Sequence, residues 1–288
     1  MVRGKSRFSP GLETLERKQV LSTVVADFDS SGLWRYADST GWEQLSEADP
    51  QAIAVAGDGT IAVDYGTFGL WRYSDFYGWE QLNEADPQGV AVSSGGAIAV
   101  DYGPYGLWRY SDSFGWEQLS GADPQGLAMA YDGAIAVDYG PYGLWQFSNV
   151  FGWEQLNEAD PEQVAIGGLD DISADYGPYG LWRYGDAFGW EPLSDADPEE
   201  IAMASDGTVA ADYGAFGLWR YHDAYGWDEL TPANPFTIAV SSSGVAAGFL
   251  NFGVWRYTDF YGWEQLEEFN AFQVGIADDQ SGSGSSRA

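Results

Sequence analysis

Residues 41–77 read GWEQLSEADPQAIAVAGDGTIAVDYGTFGLWRYSDFY, and the fold follows from this stretch. It breaks into short apolar and aromatic runs separated by Gly, Pro, Asp and Ser, the pattern of strands joined by turns. The spacing predicts strand A over Ile53 to Ala56, B over Thr60 to Asp64 and C over Gly69 to Tyr73. Strand D follows over Gly78 to Leu82, where the next copy of the unit begins. Asp58-Gly59 lies between A and B, where glycine accepts the positive φ of a two-residue hairpin turn. An aromatic Tyr-Gly-x-aromatic-Gly loop joins B to C, and Glu-Ala-Asp-Pro links D to the next A.

The unit recurs along the chain. GLWRY or a near copy begins at Gly32, Gly69, Gly106, Gly143, Gly180, Gly217 and Gly253, with successive starts 37 residues apart five times and 36 once. A second Trp follows eight residues after the first, from Trp34 and Trp42 to Trp255 and Trp263, and these pairs account for all 14 Trp. Four antiparallel strands per repeat of this length make one propeller blade. Strand A reads IAVA, VAVS, LAMA or IAMA, small enough to crowd round an axis, while the bulky rings lie on C and D. A solenoid of the same hairpins would leave two open edges needing caps, and no atypical terminal repeat is present.

Closure can be counted. Strand B occurs first at Val24 to Asp27 with no A before it, and strand A occurs last near Gln273 to Ala277 with no B after it. The predicted fold is therefore all-β: a seven-bladed β-propeller with four antiparallel strands per blade, its ring closed when the C-terminal strand joins the N-terminal blade. The expected boundaries are a basic tail over 1–20, the propeller over 21–279 and a Gly/Ser tail of linker composition over 280–288.

Composition narrows the function. Apolar residues make up 45% of the 288 and aromatics 16%, enough to build a large core. The net charge is −32, with five of the twelve basic residues in the first 18 positions, so the body repels phosphate backbones and anionic membranes. Nucleic acid is not expected as a partner, nor is membrane insertion, since no run approaches the roughly 18 apolar residues of a spanning helix. The N-terminus is basic but lacks the apolar segment of a secretory signal peptide. There is no Cys, and His222 is the single histidine, at a position where other copies carry Ala, Ser, Gly or Thr. A binding protein is expected, not an enzyme, and a monomer with no cofactor. The Asp-rich turns do not have the spacing of an EF-hand loop, so no metal-site residue is singled out, while the acidity suits either solubility in salty water or cation binding by paired carboxylates.

The repeat, with W-x-x-L, I-A-V, D-G, a second apolar strand and G-L-W-R-Y, resembles the tectonin-type propeller unit and, more distantly, that of the tachylectin lectins. The resemblance covers residues 21 to 279, although tectonin rings usually have six blades. Members of these groups mostly bind sugars or lipopolysaccharide, so the resemblance implies a lectin-like role, with glycans or glycosylated surfaces as partners. Residues 11–22, GLETLERKQVLS, resemble a Leu-Glu-x-Leu-Glu-x-Arg-x-x-Leu-Ser segment near the N-termini of exported proteins of planctomycete-type bacteria. That likeness implies an extracellular or cell-surface protein.

In a four-stranded blade the B–C and D–A loops emerge on one face, the A–B and C–D loops on the other. The first face gathers Tyr65, Tyr102, Tyr139, Tyr176 and Tyr213 with the candidate ligand-binding rings Phe68, Tyr105, Tyr142, Tyr179 and Phe216. The acids of the ADP links, Asp86, Asp123, Asp160 and Asp197, complete the candidate sites, with Tyr105 expected beside Asp123. Aromatic faces next to carboxylates suit sugar rings, which offer axial C–H groups and hydroxyl donors together. The same residues could simply pack loops and cap turns, which leaves a structural or protein-interaction propeller as the alternative. A second ring, Tyr77, Phe114, Phe151, Phe188, Tyr225 and Tyr261, lies on the opposite face. The Trp residues are expected to pack between blades, and the strand-C arginines to face strand-D acids, as Arg72 faces Glu80. Gln146 breaks that series and deprives Glu154 of its partner.

Overall fold

The computed structural model describes residues 22–168 and 171–278, which form seven four-stranded antiparallel sheets. The basic tail and most of the export-like segment, like the Gly/Ser tail, lie outside the described residues. In the second blade the strands are Ala52–Val55, Ile61–Asp64, Leu70–Ser74 and Gly78–Asn83, close to the bounds read from sequence. The ring closes as counted: Gln273–Ala277 is strand A of the blade whose B, C and D are Thr23–Asp27, Leu33–Ala37 and Gly41–Ser46. Its register sets Val24 opposite Ile276 and Ala26 opposite Val274. Each strand A packs beside the next around the axis, including Thr237–Ser241 beside Gln273–Ala277 and that strand beside Ala52–Val55.

The apolar core is divided among the seams between blades. Seven buried clusters fill the seven seams, each pairing strand C, and in six of them strand B, of one blade with strands A and B of the next. In one, Val25 and Leu33 of the first blade meet Ile61 and Val63 of the second, all at 0% exposure. Two polar rings reinforce the seams. The strand-D indole of each blade donates to a strand-D carbonyl of the blade before it: Trp79 to Leu45 at 3.0 Å, and Trp42 to Leu266 at 2.9 Å across the closure. Strand C supplies the second ring. Arg72 pairs with Glu80 of its own blade at 2.6 Å, as the hairpin register requires, and with Asp112 of the next at 2.8 Å. Arg256 repeats this across the closure, meeting Glu264 at 2.9 Å and Asp38 of the first blade at 2.7 Å.

Two local features were not read from the sequence. The B–C loop is a one-turn 3-10 helix, Gly66–Phe68 in the second blade, and strand C bulges against D between Leu70 and Trp71. Gly69 makes both fit. Its φ is +78°, and a Cβ there would sit 2.1 Å from the Asn83 carbonyl oxygen.

Candidate functional site

The tight turn sorts the two aromatics of each B–C loop. The Asp64 carboxylate Oδ1 accepts from Gly66 N at 2.6 Å, and Gly69 N donates to Gly66 O at 2.7 Å, so the loop reverses within three residues. As a result Tyr65 turns into the seam, 8% exposed with its ring 6.1 Å from Trp79, while Phe68 stands out at 74%. Tyr102, Tyr139 and Tyr176 are buried in the same way, and Tyr213 lies against Trp227. Tyr105, Tyr142, Tyr179 and Phe216 are exposed, and Phe252 joins them from the seventh blade. In the second to seventh blades each B–C loop therefore presents one ring, not two.

These rings stand over clefts between blades. A large one lies between the second and third blades, has a volume of about 1100 Å³, and is lined by Tyr105, Trp108 and Trp116. Its polar wall carries Asp86, Asp64, Asn83, Gln51 and Gln88. Asp123, expected beside Tyr105, is not part of it. The link carrying Asp86 leads into the same blade that holds the Tyr105 loop, whereas Asp123 follows that blade's strand D and leads into the next. By the repeat, Asp123 belongs with Tyr142, Asp160 with Tyr179 and Asp197 with Phe216. A second cleft of about 360 Å³, between the fourth and fifth blades, uses the same positions: Asn157, Tyr176, Tyr179, Trp182 and Trp190. The loop over the large cleft is held by the Trp108 indole and the Gln118 amide, which donate to Tyr105 O at 2.9 and 3.0 Å.

Sequence reasoning assigned every Trp to blade packing and passed over the amides. Trp108 and Trp116 do pack, but each also leaves part of a ring in the cleft, where Asn83 and Gln88 add donors. The Trp at the third position of each GLWRY copy and the Gln of the three DPQ links were the available signal.

Electrostatically the cleft wall pairs two kinds of carboxyl. Burial pushes Asp64 up to about 6, with Asp86 adding to the rise and the Gly66 N–H opposing it. Asp101, Asp138 and Asp212 are raised to about 6 by the same burial. The wall thus presents acceptors, and below about pH 6 an acid donor, beside an aromatic face.

The opposite face also has clefts. One of about 650 Å³ contains Phe114 and Arg109, but Arg109 is engaged by Glu117 at 2.8 Å and Asn149 at 2.5 Å. The exposed rings Tyr77, Phe114, Phe151 and Tyr225 stand on its loops. On the axis, a cavity of about 350 Å³ is lined by Met129, Ile166, Met203 and Val240. Asp278 crosses one end, accepting from Ser242 N at 2.9 Å and Ser242 Oγ at 2.7 Å. His222 lies away from these clefts, its Nδ1 accepting from Ala224 N at 3.1 Å.

No protein-family model and no curated protein matches the chain. Solved propellers do. Apo AztD from Citrobacter koseri superposes with a TM-score of 0.62 at 11% identity, covering 90% of this chain and 98% of that one. A streptogramin B lyase gives 0.57 at 15%, covering 88% and 91%. A chain of the mitotic checkpoint complex gives 0.59 at 13%, covering 82% and 87%. Similarity at this identity shows the seven-bladed propeller fold alone, on proteins of varied function. No helix among the described residues is long and apolar enough to cross a membrane.

Proposed function

We propose that the protein is a non-catalytic, multivalent carbohydrate-binding module acting at a bacterial cell surface. The observation that carries this reading is the repeated cleft, lined by an exposed ring, a strand-C and a strand-D tryptophan and an asparagine, to which the cleft between the second and third blades adds Asp64, Asp86, Gln51 and Gln88. Apolar ring faces match the C–H faces of a sugar, and the acids and amides match its hydroxyls. One stack and two or three hydrogen bonds, each worth about 1 kcal/mol net, leave a single cleft weak once association entropy is subtracted. Repetition makes up for that, because several clefts meeting a glycosylated surface together gain avidity factors of roughly 10²–10⁴. The first copy has Ser30 and Ser31 in place of the ring, so six clefts are expected from Phe68, Tyr105, Tyr142, Tyr179, Phe216 and Phe252.

A glycan array followed by titration with the best monovalent sugar tests the reading. Several equivalent sites per chain are expected, and Tyr105→Ala, Tyr142→Ala and Tyr179→Ala together should weaken avid binding at least about tenfold. A stoichiometry of one, or full binding by the triple variant, would overturn it. Silence across the array would favour a structural or protein-interaction propeller.

A further inference from the structure

The fifth blade departs from its neighbours at one place on the cleft-bearing face. Glu162, Asp175 and Asp197 each bring one carboxylate oxygen to within 4.8 Å of the others, the single such group of three among the described residues. Asp175 ends strand B and is wholly buried. Its Oδ1 accepts from Gly177 N at 2.9 Å, while its Oδ2 is buried with no hydrogen-bond partner. A bare, desolvated carboxylate oxygen beside two more carboxylates is costly unless a cation sits among them.

Other blades relieve the same position. Where the fifth has Glu162, the second, third and fourth have Gln51, Gln88 and Gln125, whose side-chain amides lie over Gly66, Gly103 and Gly140 as Glu162 lies over Gly177. In the sixth blade the third acid becomes Asn234, whose amide nitrogen lies 3.2 Å from Asp212 Oδ2. Among the described residues only the fifth blade brings three carboxylate oxygens here within 4.8 Å of one another. All described arginines lie on strand C and are paired toward the other face, so none neutralises the group.

We propose that Glu162, Asp175 and Asp197 bind one divalent cation, with calcium as the fitting ion. Two oxygens each about 2.4 Å from one Ca²⁺ can lie up to about 4.8 Å apart, so the observed separations fit a shared ion with little movement. All-oxygen, anionic ligands suit a hard cation. Glu162 and Asp197 are exposed, which leaves room for water to complete six to eight ligands. Three carboxylates on an open face match the weaker calcium modules, with Kd about 10⁻⁴–10⁻³ M. The triad is the counterpart, between the fifth and sixth blades, of Gln51, Asp64 and Asp86 in the large cleft, but its cation binding needs no sugar and is measured without one.

Calorimetric titration of the chelator-treated full chain with CaCl₂ tests it. One ion per chain is expected, with at least a tenfold loss of affinity in Glu162→Gln. That variant carries the residue native to three other blades, and an unchanged apo melting temperature will show that it folds. Gln125→Glu should build the same triad with Asp138 and Asp160 and raise the stoichiometry to two. Absence of binding at 10 mM Ca²⁺, or unaltered binding by Glu162→Gln, would overturn the proposal. Because the titration contains no sugar, its failure overturns the cation site alone, and a silent glycan array overturns the glycan reading alone.

Discussion

Glu200 opens strand A of the sixth blade, a position held by Gln163 and Gln273 in two others. Both glutamines clip neighbouring blades together with two bonds. Gln273 accepts from Ile53 N at 3.0 Å and donates to Gln51 O at 2.9 Å, and Gln163 does the same to Ile201 N and Glu199 O. Glu200 keeps only the first bond, accepting from Ile238 N at 3.0 Å. Burial pushes its carboxyl up to about 8, against the smaller pull of that N–H. Because this lies above the unfolded value, the folded state holds the extra proton between about pH 4.5 and 8, and stability from this group falls as pH rises through that window. Glu200→Gln should remove that slope and raise the melting temperature at pH 8 by about 2–4 °C, the equivalent of about 1 kcal/mol. Identical melting-versus-pH curves for the two proteins would refute this account. At this scale the sequence was only partly legible. It showed which rings occur on the first face, but the division into buried Tyr65 and exposed Phe68 depends on a 3-10 turn that Tyr-Gly-x-x-Gly spacing does not announce.

The hairpin formed by strands C and D is the element on which the blades are coupled. Each strand-C arginine meets an acid across its own hairpin, and all but Arg109 meet another in the next blade's C–D loop, 37 or more residues away and outside any local pattern. The first contact was readable from period-2 register, and Arg72 does face Glu80. The second becomes visible only when neighbouring blades are set side by side. There the guanidinium also lies over the next strand-C ring, as Arg72 does over Tyr110 at 5.6 Å. The fourth blade lacks this link because Gln146 faces Glu154. Gln146→Arg should restore it, reaching Asp186 of the fifth blade, and raise the melting temperature by about 2–4 °C, or about 1 kcal/mol. Adding Asp186→Ala should remove most of the gain. A gain that persists in the double variant would mean the new side chain acts within its own blade.

For the whole molecule, the repeat spacing and the offset between first and last strands were enough to count the ring, because closure is a matter of how many copies of each strand exist. The clefts were less legible, since they arise between blades and draw on residues from both. That is why Asp86, not Asp123, shares the cleft with Tyr105. Closure itself is testable. A chain ending at Asn270 loses buried Val274, Ile276 and Ala277 and every hydrogen bond that Thr23–Asp27 makes on its inner side. With about 1.5–3 kcal/mol for each fully buried aliphatic side chain, the loss should reach about 5 kcal/mol and lower the melting temperature by about 10–20 °C. An unchanged melting curve would show that the ring does not depend on its last strand.

The seam also fixes how the molecule yields to a pull. Thr23 and Ala277 are directly paired, so the two ends of the propeller leave it side by side. Tension between them acts across the strands and loads the seam one hydrogen-bonded pair at a time, like a zipper. Tension between either end and a point on the far side of the ring runs along the strands and must shear many pairs at once. A protein anchored by both ends would open at its closing blade under modest force, while one anchored at a single end and held through its clefts would resist far longer.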